Sequence, residues 1–140
     1  MYSTFKAELT AYLNLNWTDT PIYDFANLPG EPPKFEPWMG AFKPLTIDDG
    51  VQSVSEGPFC IFSMYVIEIP IFVGSAEGVD LATELTEKLK LLFIGKSLPG
   101  NIEFRDVSTE YGTTREGESS GSWYESRVVI ICEHRWFLGD

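Results

Sequence analysis

Residues 58–73 read PFCIFSMYVIEIPIFV, with Gly57 before the run and Gly74 after it. Val, Ile, Phe and Tyr suit a pleated surface better than a helix, so the run predicts one long buried strand. Pro70 points the same way, since proline breaks a helix interior but is accommodated at a strand edge or bulge. The two-residue period of a strand then defines two faces. Cys60, Phe62, Met64, Val66 and Glu68 lie on one; Phe59, Ile61, Tyr65, Ile67, Ile69 and Ile71 lie on the other. A sheet with one face in water alternates apolar with polar residues, and this run does not. Both faces therefore call for cover. A short chain has few helices for two faces, so a second copy is expected to supply part of it.

Upstream, Ser3 or Thr4 caps a predicted first helix to about Leu15, with Phe5, Leu9, Tyr12 and Leu13 on one stripe. Residues 17–21 turn the chain into a short strand, Ile22 to Phe25. The segment from Ala26 to Pro37 holds four prolines and a glycine, which excludes regular structure. Connections of that length are commonly functional or become ordered against a partner. Trp38 to Thr46 reads as an edge strand, because Pro44 cannot donate to a central ladder. Asp48-Asp49-Gly50 signals a hairpin turn, with Val51 to Ser55 as the return strand.

Downstream, a second helix is predicted from the Ser75–Asp80 region to about Phe93, with Ala82, Leu85, Leu89, Leu92 and Phe93 inward and Gly95 as its stop. Ile102 to Tyr111 is a strand, and residues 112–121 (GTTREGESSG) a polar, mobile hairpin tip. Ser122 to Phe137 closes the chain as an alternating strand: Tyr124, Val128, Ile130, Cys132 and Trp136 on one face, Glu125, Arg127, Val129, Ile131, Glu133 and Arg135 on the other. The expected fold is α+β: a single domain over residues 1–140, with an antiparallel or mixed sheet and two helices packed on one face.

The chain has 140 residues, the size of one ordinary domain, and 44% of them are apolar, enough for a core. Ten basic against twenty-one acidic residues leave a net charge of −11. That balance excludes gripping nucleic acid by neutralising phosphates, but permits a wall past which DNA slides. No membrane span is expected, nor does the first stretch carry the basic-then-apolar order of a signal peptide, so folding in a cytoplasm is expected.

Cys60, Cys132 and His134 lack the close ligand pairs of a zinc site, and both cysteines lie in apolar runs where a reactive thiolate is unfavourable. Asp48 and Asp49 lack the remaining ligands of a calcium loop. Nucleophile-elbow, P-loop and dinucleotide fingerprints are missing. No enzymatic activity, cofactor or metal is expected. The excess is apolar: Tyr65, Ile67, Ile69 and Ile71 with Val129 and Ile131 form a candidate subunit interface. The competing reading makes both faces core, one beneath the proline-rich loop.

Several segments in this order resemble the tail terminator (tail-completion) proteins of long-tailed bacteriophages, the group typified by the lambda terminator. They are an opening helix, Trp17-Thr18-Asp19-Thr20-Pro21-Ile22, a wandering segment with Phe35 and Trp38, and EGPFCIFSMYVIEIPIFVGSAEG (56–78). A helix ending Leu91-Leu92-Phe93 and a closing WYESRVVIICEHRW (123–136) complete the pattern. Leu28 to Ser55 departs from it, being longer and richer in proline.

The resemblance implies a small α+β subunit that forms a hexameric ring at the head-proximal end of the tail tube. The ring stops tube polymerisation and offers the head-tail joining surface. Tube and neck or connector proteins would be its partners, DNA would cross the lumen without specific binding, and the protein would reside in the virion. Pro29, Gly30, Pro32, Pro33, Phe35, Arg115 and Glu116 are the candidate docking-loop residues. Two alternatives stay open: another neck or tail-tube protein, and a small ligand-binding or hydrolytic α+β domain.

Overall fold

The computed structural model describes residues 2–23, 36–51, 60–74, 78–117 and 121–137. In chain order the elements are α1 (Tyr2–Asn16), β1 (Ile22–Tyr23), β2 (Trp38–Gly40), β3 (Lys43–Val51) and β4 (Cys60–Gly74). There follow α2 (Gly78–Leu91), β5 (Ser97–Leu98), β6 (Ile102–Gly117) and β7 (Gly121–Phe137). The described strands form one seven-stranded sheet in the order β1-β2-β4-β7-β6-β5, with β3 also paired to β4. Only β1 and β2 run parallel; every other pair is antiparallel. The chain is thus a single small α+β domain.

The long predicted strand is found as β4, the axis of the sheet. β4 pairs with β7 along its whole length, from Cys60 opposite Phe137 to Gly74 opposite Trp123. Its other edge is shared end to end: β2 takes Phe72 and Ile71, and β3 takes Glu68 to Ile61. One face of β4 is dry. Ser63, Tyr65, Ile67, Ile69, Ile71 and Val73 are fully buried, as are their β7 neighbours Ser126, Val128, Ile130 and Cys132. Helix α1 reaches this core with Phe5, Leu9 and Leu13, spaced four apart so that one stripe faces inward. Its Phe5 and Tyr2 rings lie 4.6 Å and 5.5 Å from Tyr65. Helix α2 buries Ala82, Leu85, Thr86 and Leu89, and Thr86 Oγ1 shares a 2.7 Å hydrogen bond with Ser126 Oγ. The helices are also tied to each other, the Tyr12 hydroxyl donating to the Leu92 carbonyl and its ring packing on Phe93.

Several expectations need correction. Tyr65, Ile67, Ile69 and Ile71 belong to the protein's own core and do not form a surface open to a second copy. Val129 and Ile131 lie opposite Glu68 and Val66, so they occupy the other face of the sheet. The Asp48-Asp49-Gly50 signal makes no turn: β3 runs straight through it, with Asp48 opposite Met64 and Asp49 opposite Ser63. A turn preference is local and weak, whereas the ladder to β4 satisfies the backbone groups on that side of the segment. Arg115 and Glu116 are ladder residues opposite Trp123 and Ser122, because β6 and β7 continue to Gly117 and Gly121. A register shift between Tyr111 and Thr114 absorbs the expected end of the strand. The sequence reading also missed β5. It folds back on β6 through a tight turn in which Gly100 and Asn101 both take positive φ, 88° and 63°. Pro29, Gly30, Pro32, Pro33, Phe35 and residues 52–55 of the expected return strand lie outside the described residues.

Beside β4, Gly40 leaves room that Pro70 uses: a Cβ there would stand 2.8 Å from Pro70 Cγ. The proline ring cannot swing away as a flexible chain would. Gly40→Ala should therefore lower stability by roughly 1–3 kcal/mol in denaturant unfolding, and adding Pro70→Ala should restore part of that loss.

Candidate functional site

The second face of the sheet is built from the alternate residues of the same strands. Register sets its rows. Thr46, Val66, Ile131 and Asp106 stand side by side; Asp48, Met64, Glu133 and Glu103 form the next row; Lys43, Glu68, Val129 and Ser108 form the row on the other side. Val66, Val129 and Ile131 are half-buried and Met64 is 38% exposed, so a short apolar stripe crosses the middle. At one end Trp38 stacks on Phe72, its pairing partner, with ring centroids 4.1 Å apart.

Charge surrounds the stripe. Arg127 forks between two carboxylates, Nη1 3.4 Å from Glu68 and Nη2 3.4 Å from Glu125, with Nε 3.8 Å from Glu110. Lys43 adds a looser contact to Glu68 at 3.9 Å. The Glu68 and Glu125 side chains are only 7% and 6% exposed, so pairing with this guanidinium offsets part of the cost of burying their charges. Toward the other end Arg105 is paired with Glu133 and Glu103. Arg135 lies 5.8 Å over the ring of Phe62. Among the described side chains the face carries seven carboxylates (Asp48, Glu68, Glu103, Asp106, Glu110, Glu125, Glu133) against four cations (Lys43, Arg105, Arg127, Arg135). It is a negative wall with a thin apolar centre.

A cleft of about 90 Å³ between Asn101, Glu103, Glu133 and Arg135 is well below the few hundred Å³ of a typical ligand site. Among the described residues no three His, Cys, Asp or Glu side chains gather as metal ligands. On the first face Ser63 and His134 stand opposite each other and Trp136 Nε1 donates to Ser63 Oγ at 3.0 Å. Ser63 and Cys132 are fully buried and His134 nearly so, which gives them the environment of a core. Burial alone pushes the Cys132 thiol up to about 12. Its neutral form is therefore favoured by folding, and that contribution is complete below the ordinary thiol range and lost as pH rises toward 12.

Of the candidate interface residues, Val129 and Ile131 lie on this second face, and Tyr65, Ile67, Ile69 and Ile71 lie behind it. The Glu68–Arg127–Glu125 group escaped sequence reading because the two glutamates are 57 positions apart in the chain, and only the ladder brings them together. A glutamate inside an apolar run was the one available signal.

No protein-family model matches the chain, and no curated protein is detectably similar to it.

Two outcomes test this description. Arg127→Ala should cost up to about 3–5 kcal/mol in chemical unfolding, since it removes a cation shared by two nearly buried carboxylates. Glu110→Gln, on the exposed arm, should cost no more than about 1 kcal/mol. In a Cys60→Ser background, iodoacetamide at pH 8 should leave Cys132 unmodified in the native protein and alkylate it rapidly in denaturant; equal rates in both would contradict the buried thiol.

Proposed function

We propose that the chain is a ring-forming structural protein of a bacteriophage tail, the terminator that caps the head-proximal end of the tube. In this reading the two helices pack on one face of the sheet and form the outer layer of the ring. The second face turns toward the lumen. The observation that carries the reading is this wall, where described carboxylates outnumber cations seven to four. DNA phosphates are repelled by such a wall and slide along it without adhering. The net charge of −11 acts in the same sense over the whole chain.

The order of segments that resembles the terminators adds the rest of the role: six copies in a closed ring, one rim seated on the last tube ring and the other offered to neck or connector proteins, within the virion. Capping is then a matter of shape. One rim reproduces the surface a tube subunit presents and the other does not, so growth stops. Val129 and Ile131 belong to the lumenal wall in this arrangement.

Electron microscopy and light scattering of the purified protein should show annular particles of about six copies. Removing the coding sequence from its phage should give tails of uncontrolled length without heads. The wild-type ring should not retain double-stranded DNA at low salt, whereas an Asp106→Lys/Glu110→Lys ring should. A protein that stays monomeric at high concentration overturns the proposal and returns the chain to the class of small ligand-binding domains.

A further inference from the structure

The sheet ends in two strand edges that no described strand completes. On one side, every side chain of β3 from Lys43 to Asp48 is exposed, including Leu45 at 51% and Ile47 at 45%. Ile47 stands opposite Tyr65 and shares its face, yet Tyr65 is fully buried. Among the described residues the cover over the core therefore stops at β4, and β3 projects beyond it with backbone donors and acceptors on its outer edge. On the far side, β5 occupies the edge of β6 only at Ile102 and Glu103. From Asp106 onward that edge has no partner among the described strands. Open edges of this kind are templates for another strand.

We infer that β3 of one copy pairs with β6 of the next, so that the sheets join edge to edge; the inference rests on the ring reading above and names its joint. Direction agrees. β3, β4, β7 and β6 alternate antiparallel, so β6 runs opposite to β3 within one molecule. A neighbour related by rotation about an axis along the strands keeps its strand directions and presents β6 antiparallel to β3. Each copy then offers one edge and uses the other, as a closed heterologous ring requires.

Length agrees as well. The regular part of β3 after its register shift is Thr46–Val51, and the regular part of β6 between its two shifts is Asp106–Tyr111. Both span six residues, and the irregularities beside them limit further pairing.

Charge selects the register. Continuing the sheet with the same faces on the same sides requires Asp48, on the second face with Met64, to oppose Asp106, Ser108 or Glu110, the second-face residues of that stretch. Asp106 or Glu110 would set two carboxylates directly across from each other, which is unfavourable. Ser108 avoids this. The same register places Thr46 across from Glu110, Ile47 across from Thr109 and Asp49 across from Val107, with no like charges opposed.

The test uses the full chain and substitutions at exposed positions, which leave the fold intact. Ser108→Asp places carboxylates face to face and should weaken self-association by roughly fivefold or more per interface in sedimentation at low salt. Combining it with Asp48→Lys should restore association, and the double variant Asp48→Cys/Ser108→Cys should oxidise to a ladder of covalent multimers that neither single variant gives. Rings that form equally well in all variants, without a ladder, overturn the strand joint and leave the ring reading standing. A wild-type protein that is monomeric at every concentration overturns both.

Discussion

Burial of the Tyr65 face of β4 is the constraint on which the other elements depend. Six alternate residues of the strand, Ser63 to Val73, are removed from water completely, and burying each large apolar side chain among them contributes about 1.5–3 kcal/mol. That gain is realised only when matching stripes lie above them. α1 supplies Phe5, Leu9 and Leu13, and α2 supplies Ala82, Leu85 and Leu89. The rings of Tyr2 and Phe5 around Tyr65, and Phe93 against Phe104 at 4.9 Å, fill the ends of the layer. Position along β4 then dictates the rest. β7 follows its full length because a strand this long must satisfy backbone groups on both edges, and β2 with β3 divides the opposite edge.

The second face follows a different logic. Glu68 and Glu125 are nearly buried and share the Arg127 guanidinium. Such a group adds little net stability compared with an apolar substitute, but it is costly to break. What it supplies is position: Arg127, bridging Glu68 across the ladder and Glu110 on the next strand, ties β4, β7 and β6 together on the side away from Tyr65. The resulting surface is charged and mostly negative, with a narrow apolar centre.

Much of this architecture is legible in the residues themselves. The 58–73 run identifies the long strand because β-branched and aromatic residues fit a pleat, and the spacing of Phe5, Leu9 and Leu13 identifies the first helix because 3.6 residues make a turn. The faces of β7 were also readable, since strict alternation leaves Val128, Ile130 and Cys132 on one side. Those features are local: each is decided by residues a few positions apart.

What only the tertiary structure decided is which local patterns meet. The same apolar stripe on Tyr65, Ile67, Ile69 and Ile71 could serve an interface or a core, and packing beneath the protein's own helices made it core. Asp48-Asp49-Gly50 carries a turn signal, but the ladder along β4 outweighs so small a preference. Val129 and Ile131 fall on the far face because register is a property of two strands and not of one. Sequence determined the elements through short-range periodicity; their partners depended on long-range pairing, whose energy belongs to no single segment.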